Sequence, residues 1–191
     1  MVRGSSHLTR LQPYKVRPSP DETPYRWETG TQNHEAMAGV TAAIDYLAEL
    51  GRMTNDEGRT TNDDHSQPRR AALLAGMHAI QQYERGLAER MIAGLLMIPG
   101  LTFYGISDPA HFANRTPTIA IRIDGHSPRA IASYLGERGI FAWDGNYYAL
   151  GLTERLGVEP SGGMVRIGLM HYNTAEEIDR LLAALGELAG G

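Results

Sequence analysis

Two stretches of this chain combine residue types able to hold an anion. The first is Arg26-Trp27-Glu28-Thr29-Gly30-Thr31-Gln32-Asn33, a polar Gly/Thr turn directly ahead of a helix-patterned run from His34 to Leu50. Unpaired N–H groups and the helix dipole favour a phosphate at such a start, and the loop offers backbone and hydroxyl donors. The plainer alternative is that Thr and Asn only cap the helix. The second is Val165-Arg166-Ile167-Gly168-Leu169-Met170-His171-Tyr172-Asn173-Thr174, which sets Arg166 inside an apolar strand running into another capped helix. An arginine there adds a fixed cation to the anion reading. Its plainer alternative is a structural ion pair.

Other chemistries find less support. The chain has no cysteine, so disulfides, thiolate metal sites and thiol nucleophiles are excluded. The 7 histidines show no metal-ligand spacing, and Asp63-Asp64-His65 sits in a stretch that reads as a solvated linker. His34 and His171 flank the two anion motifs, where a surface or capping role is the simpler reading. Gly162-Gly163 precedes a strand and so reads as a turn, not a dinucleotide fingerprint. Lys15 is the only lysine among 18 basic residues, so any lysine-dependent step has one candidate.

With 191 residues, 42% apolar and 21% charged, the chain can bury a core. A net charge of −4 with scattered basic residues leaves no footprint for nucleic acid or an anionic membrane surface. No apolar run is long enough for a helical span, and a cytoplasmic location is the expectation.

The elements that must carry these residues follow from periodicity. Pro13, Pro18, Pro20 and Pro24 make the region from Tyr14 to Pro24 an irregular arm. A helix is expected from His34 to Gly51 and a polar loop over 52–67. A long helix follows from Pro68 to about Ile98, with Leu74, Met77 and Tyr83 among the residues of one apolar side. Strands are expected at Leu101–Ile106, Thr118–Ile123, Ile140–Trp143 and Met164–Met170, and helices at Ser127–Gly139 and Leu150–Leu156. Thr174-Ala175-Glu176-Glu177 is a capping box opening the last helix, with Ile178, Leu181, Leu182 and Leu185 in its buried stripe. Strands with helices packed on one side predict an α/β sandwich.

Through Pro13-Tyr14-Lys15-Val16-Arg17-Pro18, Arg26 to His34, Trp143-Asp144-Gly145-Asn146-Tyr147-Tyr148-Ala149 and Val165 to Thr174, the chain resembles the class V aminotransferases, and within them the cysteine desulfurase-like branch. The resemblance implies the C-terminal portion of a fold-type I pyridoxal-phosphate enzyme acting on an amino acid, dimeric in its parent form. Residues 1–67 would be the edge of the cofactor-binding large domain, and 68–191 the connecting helix and small α/β domain. Thr31, with Gly30, would reach the cofactor phosphate bound in a partner subunit, and Arg166 would hold the substrate carboxylate. Tyr147 and Tyr148 stand in the loop that carries the persulfide-forming cysteine of true desulfurases, and are candidate substrate contacts or simply packing residues.

With no thiol, persulfide transfer is chemically impossible for this chain. By the same resemblance the cofactor lysine would lie upstream of Lys15, so these residues alone are expected not to bind the cofactor covalently. The alternative expectation is a non-catalytic dimerisation or binding module derived from such an enzyme.

Overall fold

The computed structural model describes residues 5–28, 30–55 and 68–191. Thr29 and the stretch 56–67, with Asp63, Asp64 and His65, lie outside the described residues. A four-stranded antiparallel sheet is built from β1 (Leu101–Tyr104), β2 (Thr118–Ile123), β3 (Trp143–Gly145) and β4 (Met164–Gly168), in spatial order β1-β2-β4-β3.

Side chains alternate across a strand, and β2 shows what that does here. Ile119, Ile121 and Ile123 are buried, while Thr118, Ala120 and Arg122 face the other way and stay at least partly open. The buried set packs with Val165 and Ile167 of β4 under three helices: α3 (Arg69–Leu95), α4 (Pro128–Glu137) and α6 (Ala175–Gly190). Met91, Ile92 and Leu95 of α3, Ile131 and Leu135 of α4, and Ile178, Leu181 and Leu185 of α6 complete this core. The expected α/β sandwich with helices on one side is therefore what the chain forms.

Local chemistry sets the helix ends. Thr174 Oγ1 accepts from the Glu177 N–H while the Glu177 carboxylate accepts from the Thr174 N–H, the expected capping box. Ser127 caps α4, with Pro128 in its first turn. The bidentate pair Arg90–Asp179 ties α3 to α6.

The first part of the chain departs from expectation in an instructive way. Helix α2 runs His34–Asn55, so it does not stop at Gly51, and Arg52–Asn55 are helical rather than loop. Gly51 is where α2 crosses α3. A Cβ there would lie 1.9 Å from the Ala72 carbonyl oxygen, and one on Gly76 would lie 2.3 Å from that of Leu47. Two glycines and Ala72 let the backbones touch, so Leu74, Met77 and Tyr83, expected on a buried side, are substantially exposed instead. Beyond the crossing, residues 34–46 of α2 are exposed on every side, Met37, Val40 and Ile44 included.

The arm is irregular, flanked by a short unexpected helix before it, α1 (Ser5–Arg10), and a 3₁₀ turn after it at Tyr25–Trp27. The Trp27 indole donates to the Leu8 carbonyl across it. Strand β3 begins at Trp143, where the expected strand ended, and β1 and β4 are each two residues shorter than expected.

Candidate functional site

Antiparallel register assembles the site. Ala120 pairs with Arg166, Arg166 with Trp143, and Tyr104 with Ala120, so one row of side chains crosses the open face of the sheet, away from the helices. Arg166 is exposed on that face. Its guanidinium carbon lies 5.2 Å from the Tyr147 ring centre and 6.0 Å from that of Trp143, within the range of cation–π attraction. Among the described residues it has no hydrogen-bond acceptor and no carboxylate partner. Among the described residues Arg166 is thus in no ion pair.

The residues after β3 hold Tyr147 in place. Asn146 Oδ1 accepts from the Tyr148 N–H, its Nδ2 donates to Glu159, and Glu159 also accepts from the buried hydroxyl of Thr153. Within this brace Tyr147 and Tyr148 both adopt left-handed backbone angles, φ 54° and 62°, a conformation that costs about 1–2 kcal/mol for a residue with a Cβ. Tyr147 turns inward and Tyr148 is fully exposed. The Tyr147 hydroxyl is buried with no partner. Burial pushes its ionisation well above the usual tyrosine range; Arg166 and Arg122 pull it down and Asp144 up, so it stays a neutral O–H donor.

Asp144 is taken by Arg129 at 3.1 Å, and Arg122 donates to the Gly163 carbonyl. The charged neighbours of Arg166 are thus engaged while Arg166 is not. An open cleft of about 310 Å³ runs along Trp143–Tyr148, Glu159 and Gly162. A larger one, about 630 Å³, lies between α3 and 112–117, but its Arg115 spends its donors on the carbonyls of Ile106, Thr116 and Thr118.

Gly30 and Thr31 lie elsewhere, on the exposed turn before α2. Asn33 Oδ1 accepts from the Ala36 N–H, so the helix start is capped by a side chain. No contact joins Thr31 to Arg166. Lys15 donates to the Ser19 carbonyl at 2.7 Å and pairs with Asp21 at 2.9 Å, and this cation holds the Asp21 carboxyl below its usual range. His171 bonds the Tyr46 hydroxyl at 2.8 Å and sits 3.8 Å from Glu84, joining the β4–α6 loop to α2 and α3 rather than to the site.

Trp143 was not expected in the site, because only the β3–β4 register brings it opposite Arg166. Among the described residues no cluster could hold a metal ion, and no helix is long and apolar enough to cross a membrane.

The aminotransferase class-V family model matches residues 70–181. A cysteine desulfurase of Pectobacterium atrosepticum is 33% identical over 164 residues, 86% of this chain and 32% of that protein. The chain belongs to the class V aminotransferase family. A cysteine desulfurase of Yersinia pestis (strain Pestoides F) is 32% identical over the same shares. Among solved structures, the apo cysteine desulfurase of Thermococcus onnurineus superposes with a TM-score of 0.65 at 24% identity, covering 88% of this chain and 34% of that one. A cysteine desulfurase of Escherichia coli gives 0.60 at 22%, covering 86% and 32%. These likenesses establish the fold, that of fold-type I enzymes. The chain spans about a third of the length of the curated relatives it matches, and the family implies pyridoxal phosphate as cofactor.

Proposed function

We propose that this chain is the C-terminal part of a pyridoxal-phosphate-dependent, class V aminotransferase-like enzyme, and that Arg166 receives the carboxylate of its amino-acid substrate. One observation carries the reading: a guanidinium beside two aromatic rings that has no acceptor among the described residues, while the charged groups around it are engaged. A carboxylate at its N–H edge would gain two charge-assisted hydrogen bonds. Tyr147 and Tyr148 would line the same substrate. Residues 1–67 would be the edge of the large domain, where Gly30 and Thr31 touch the cofactor phosphate across a homodimer, and 68–191 the connecting helix and small domain.

The residues present do not fit the whole cofactor. Its covalent attachment needs an unprotonated lysine, and the ammonium of Lys15 is held by Ser19 and Asp21. When bound, pyridoxal phosphate supplies the electron sink for amino-acid chemistry. No residue described here performs that part, and transamination, epimerisation and elimination remain equally open to the fold. A persulfide on a residue of this chain is excluded, since the chain has no thiol.

The test is a titration of the isotopically labelled chain with L-alanine, following the Arg166 Nε–Hε resonance, with L-alaninamide as the carboxylate-free control. A response to alanine alone supports the reading, and the Trp143 indole N–H resonance should then also shift with alanine in the wild type and not in Arg166→Leu; equal responses to both ligands, or none, refute it. For the cofactor, borohydride reduction after adding pyridoxal phosphate should leave no pyridoxyl mass on Lys15, and a stoichiometric adduct would overturn that part.

A second reading, a non-catalytic dimerisation or binding module, is favoured by the open face of α2 at Met37, Val40 and Ile44. It predicts concentration-dependent association in sedimentation, and a monodisperse, protease-resistant monomer would count against it.

A further inference from the structure

Resting on the carboxylate reading of Arg166, we infer that Trp143 is a positioning residue that holds the guanidinium plane so that its N–H edge, not its face, meets the substrate. Trp143 is directly opposite Arg166 in the β3–β4 register, so the two side chains leave the sheet on the same side as neighbours. Its ring lies 6.0 Å from the guanidinium carbon and is 59% exposed, so it serves the open face and not the core. Among the described residues its indole N–H makes no hydrogen bond.

An arginine on an open sheet face otherwise samples many rotamers, and ordering it on binding carries an entropic cost. An aromatic ring attracts the flat face of a guanidinium through its π electrons and leaves the in-plane N–H groups free. Those are the groups a carboxylate engages in bidentate fashion. Tyr147 contacts the same cation from a strained turn braced by Asn146 and Glu159. Trp143 lies on the edge strand β3 and Tyr147 in the turn that follows it, so one continuous segment carries both rings to the guanidinium.

The experiment uses the same L-alanine titration on Trp143→Ala and Trp143→Phe. The alanine variant should weaken apparent affinity by about two- to fivefold. It should also lower the heteronuclear NOE of Arg166 Nε–Hε, while the backbone amide peaks of Ile119, Ile121 and Val165 stay in place. Trp143→Phe should restore both the affinity and the NOE toward wild type.

An unchanged affinity and NOE in Trp143→Ala, with a wild type that distinguishes alanine from alaninamide, overturns this inference and leaves the receptor reading standing. A phenylalanine variant as impaired as the alanine one also overturns it. A wild type with no carboxylate-specific response sinks the receptor reading, and this inference with it.

Discussion

Gly163 is the position where a single methyl group should damage both the stability of the sheet and the order of the site. Its φ is +73°, and a Cβ built on it would lie 2.2 Å from the Gly145 carbonyl oxygen and 3.1 Å from the Asn146 nitrogen. Both are backbone atoms at the root of the Tyr147 turn, and Gly145 is fixed in the β3–β4 ladder, so neither can swing aside as a side chain could. The left-handed conformation costs alanine about 1–2 kcal/mol, and forcing an extra methyl into a closed contact adds about 1–3 kcal/mol. Gly163→Ala should therefore lower stability by about 2–5 kcal/mol, a large share of what a domain this size possesses. Urea unfolding would show this as a lower midpoint at unchanged slope. Gly168→Ala on the same strand is the control: no atom lies within 4 Å of its Cβ and its φ is not left-handed, so it should shift stability by less than about 0.5 kcal/mol. A Gly163→Ala loss below about 1 kcal/mol would refute the close contact, and with it the account of how the Tyr147 turn is held against β4.

Gly51→Ala should separate α2 from α3, because its Cβ would meet the Ala72 carbonyl at 1.9 Å; hydrogen exchange should show faster amides over 47–51 and unaltered protection in β2 and β4. Tyr147, whose ionisation is raised by burial, retains its proton in the folded state, so the stability it contributes is complete below the unfolded value of about 10 and fades as pH climbs through the higher folded value. In an alkaline absorbance titration Tyr147→Phe should remove a late tyrosinate step and leave the amplitude below about pH 11 unchanged. Glu177 has its ionisation lowered by its hydrogen bonds from Asn173 and the Thr174 backbone, so it stabilises above the ordinary carboxylate range and this is lost as pH falls through the lowered folded value. Glu177→Gln should flatten the acid limb of the stability curve measured by circular dichroism; an unaltered limb would disprove the cap's share in it.

Much of the fold was legible because local signals and packing agree. The box at Thr174 and Glu177, the cap at Ser127 and the alternation of β2 each state in a few residues what the core then enforces. The failures share a cause, which is that a residue's role was decided by a distant partner. Gly51 reads as a helix stop until Gly76 and Ala72 are known to lie against it. Leu74 and Met77 read as buried until small residues take the crossing. Trp143 looks like the end of an apolar run, and only register reveals it as the neighbour of Arg166. Arg166 itself was visible as a cation in an apolar strand, but the sequence could not separate a paired arginine from a free one.

That separation also bears on how the parent chemistry would be divided. A carboxylate receptor has to be rigid, unpaired and reachable. Arg166 would meet the first through its strand and its rings, the second because it has no acceptor among the described residues, and it meets the third by standing on the face that the helices leave open. A cofactor-binding lysine has the opposite need, since it must lose its proton, and Lys15 is paired with a carboxylate that keeps its charge. Under the proposed reading the two halves of amino-acid chemistry are unequally served by these residues: recognition would lie on the sheet, while Lys15 is not fitted for covalent attachment. Supplying the chain with a polypeptide that brings such a lysine should therefore give activity that Arg166→Lys lowers chiefly through substrate affinity, because an ammonium keeps the charge and loses the bidentate edge. An Arg166→Lys variant with unchanged affinity for the amino acid would show that charge alone, and not the held plane of the guanidinium, does the recognising.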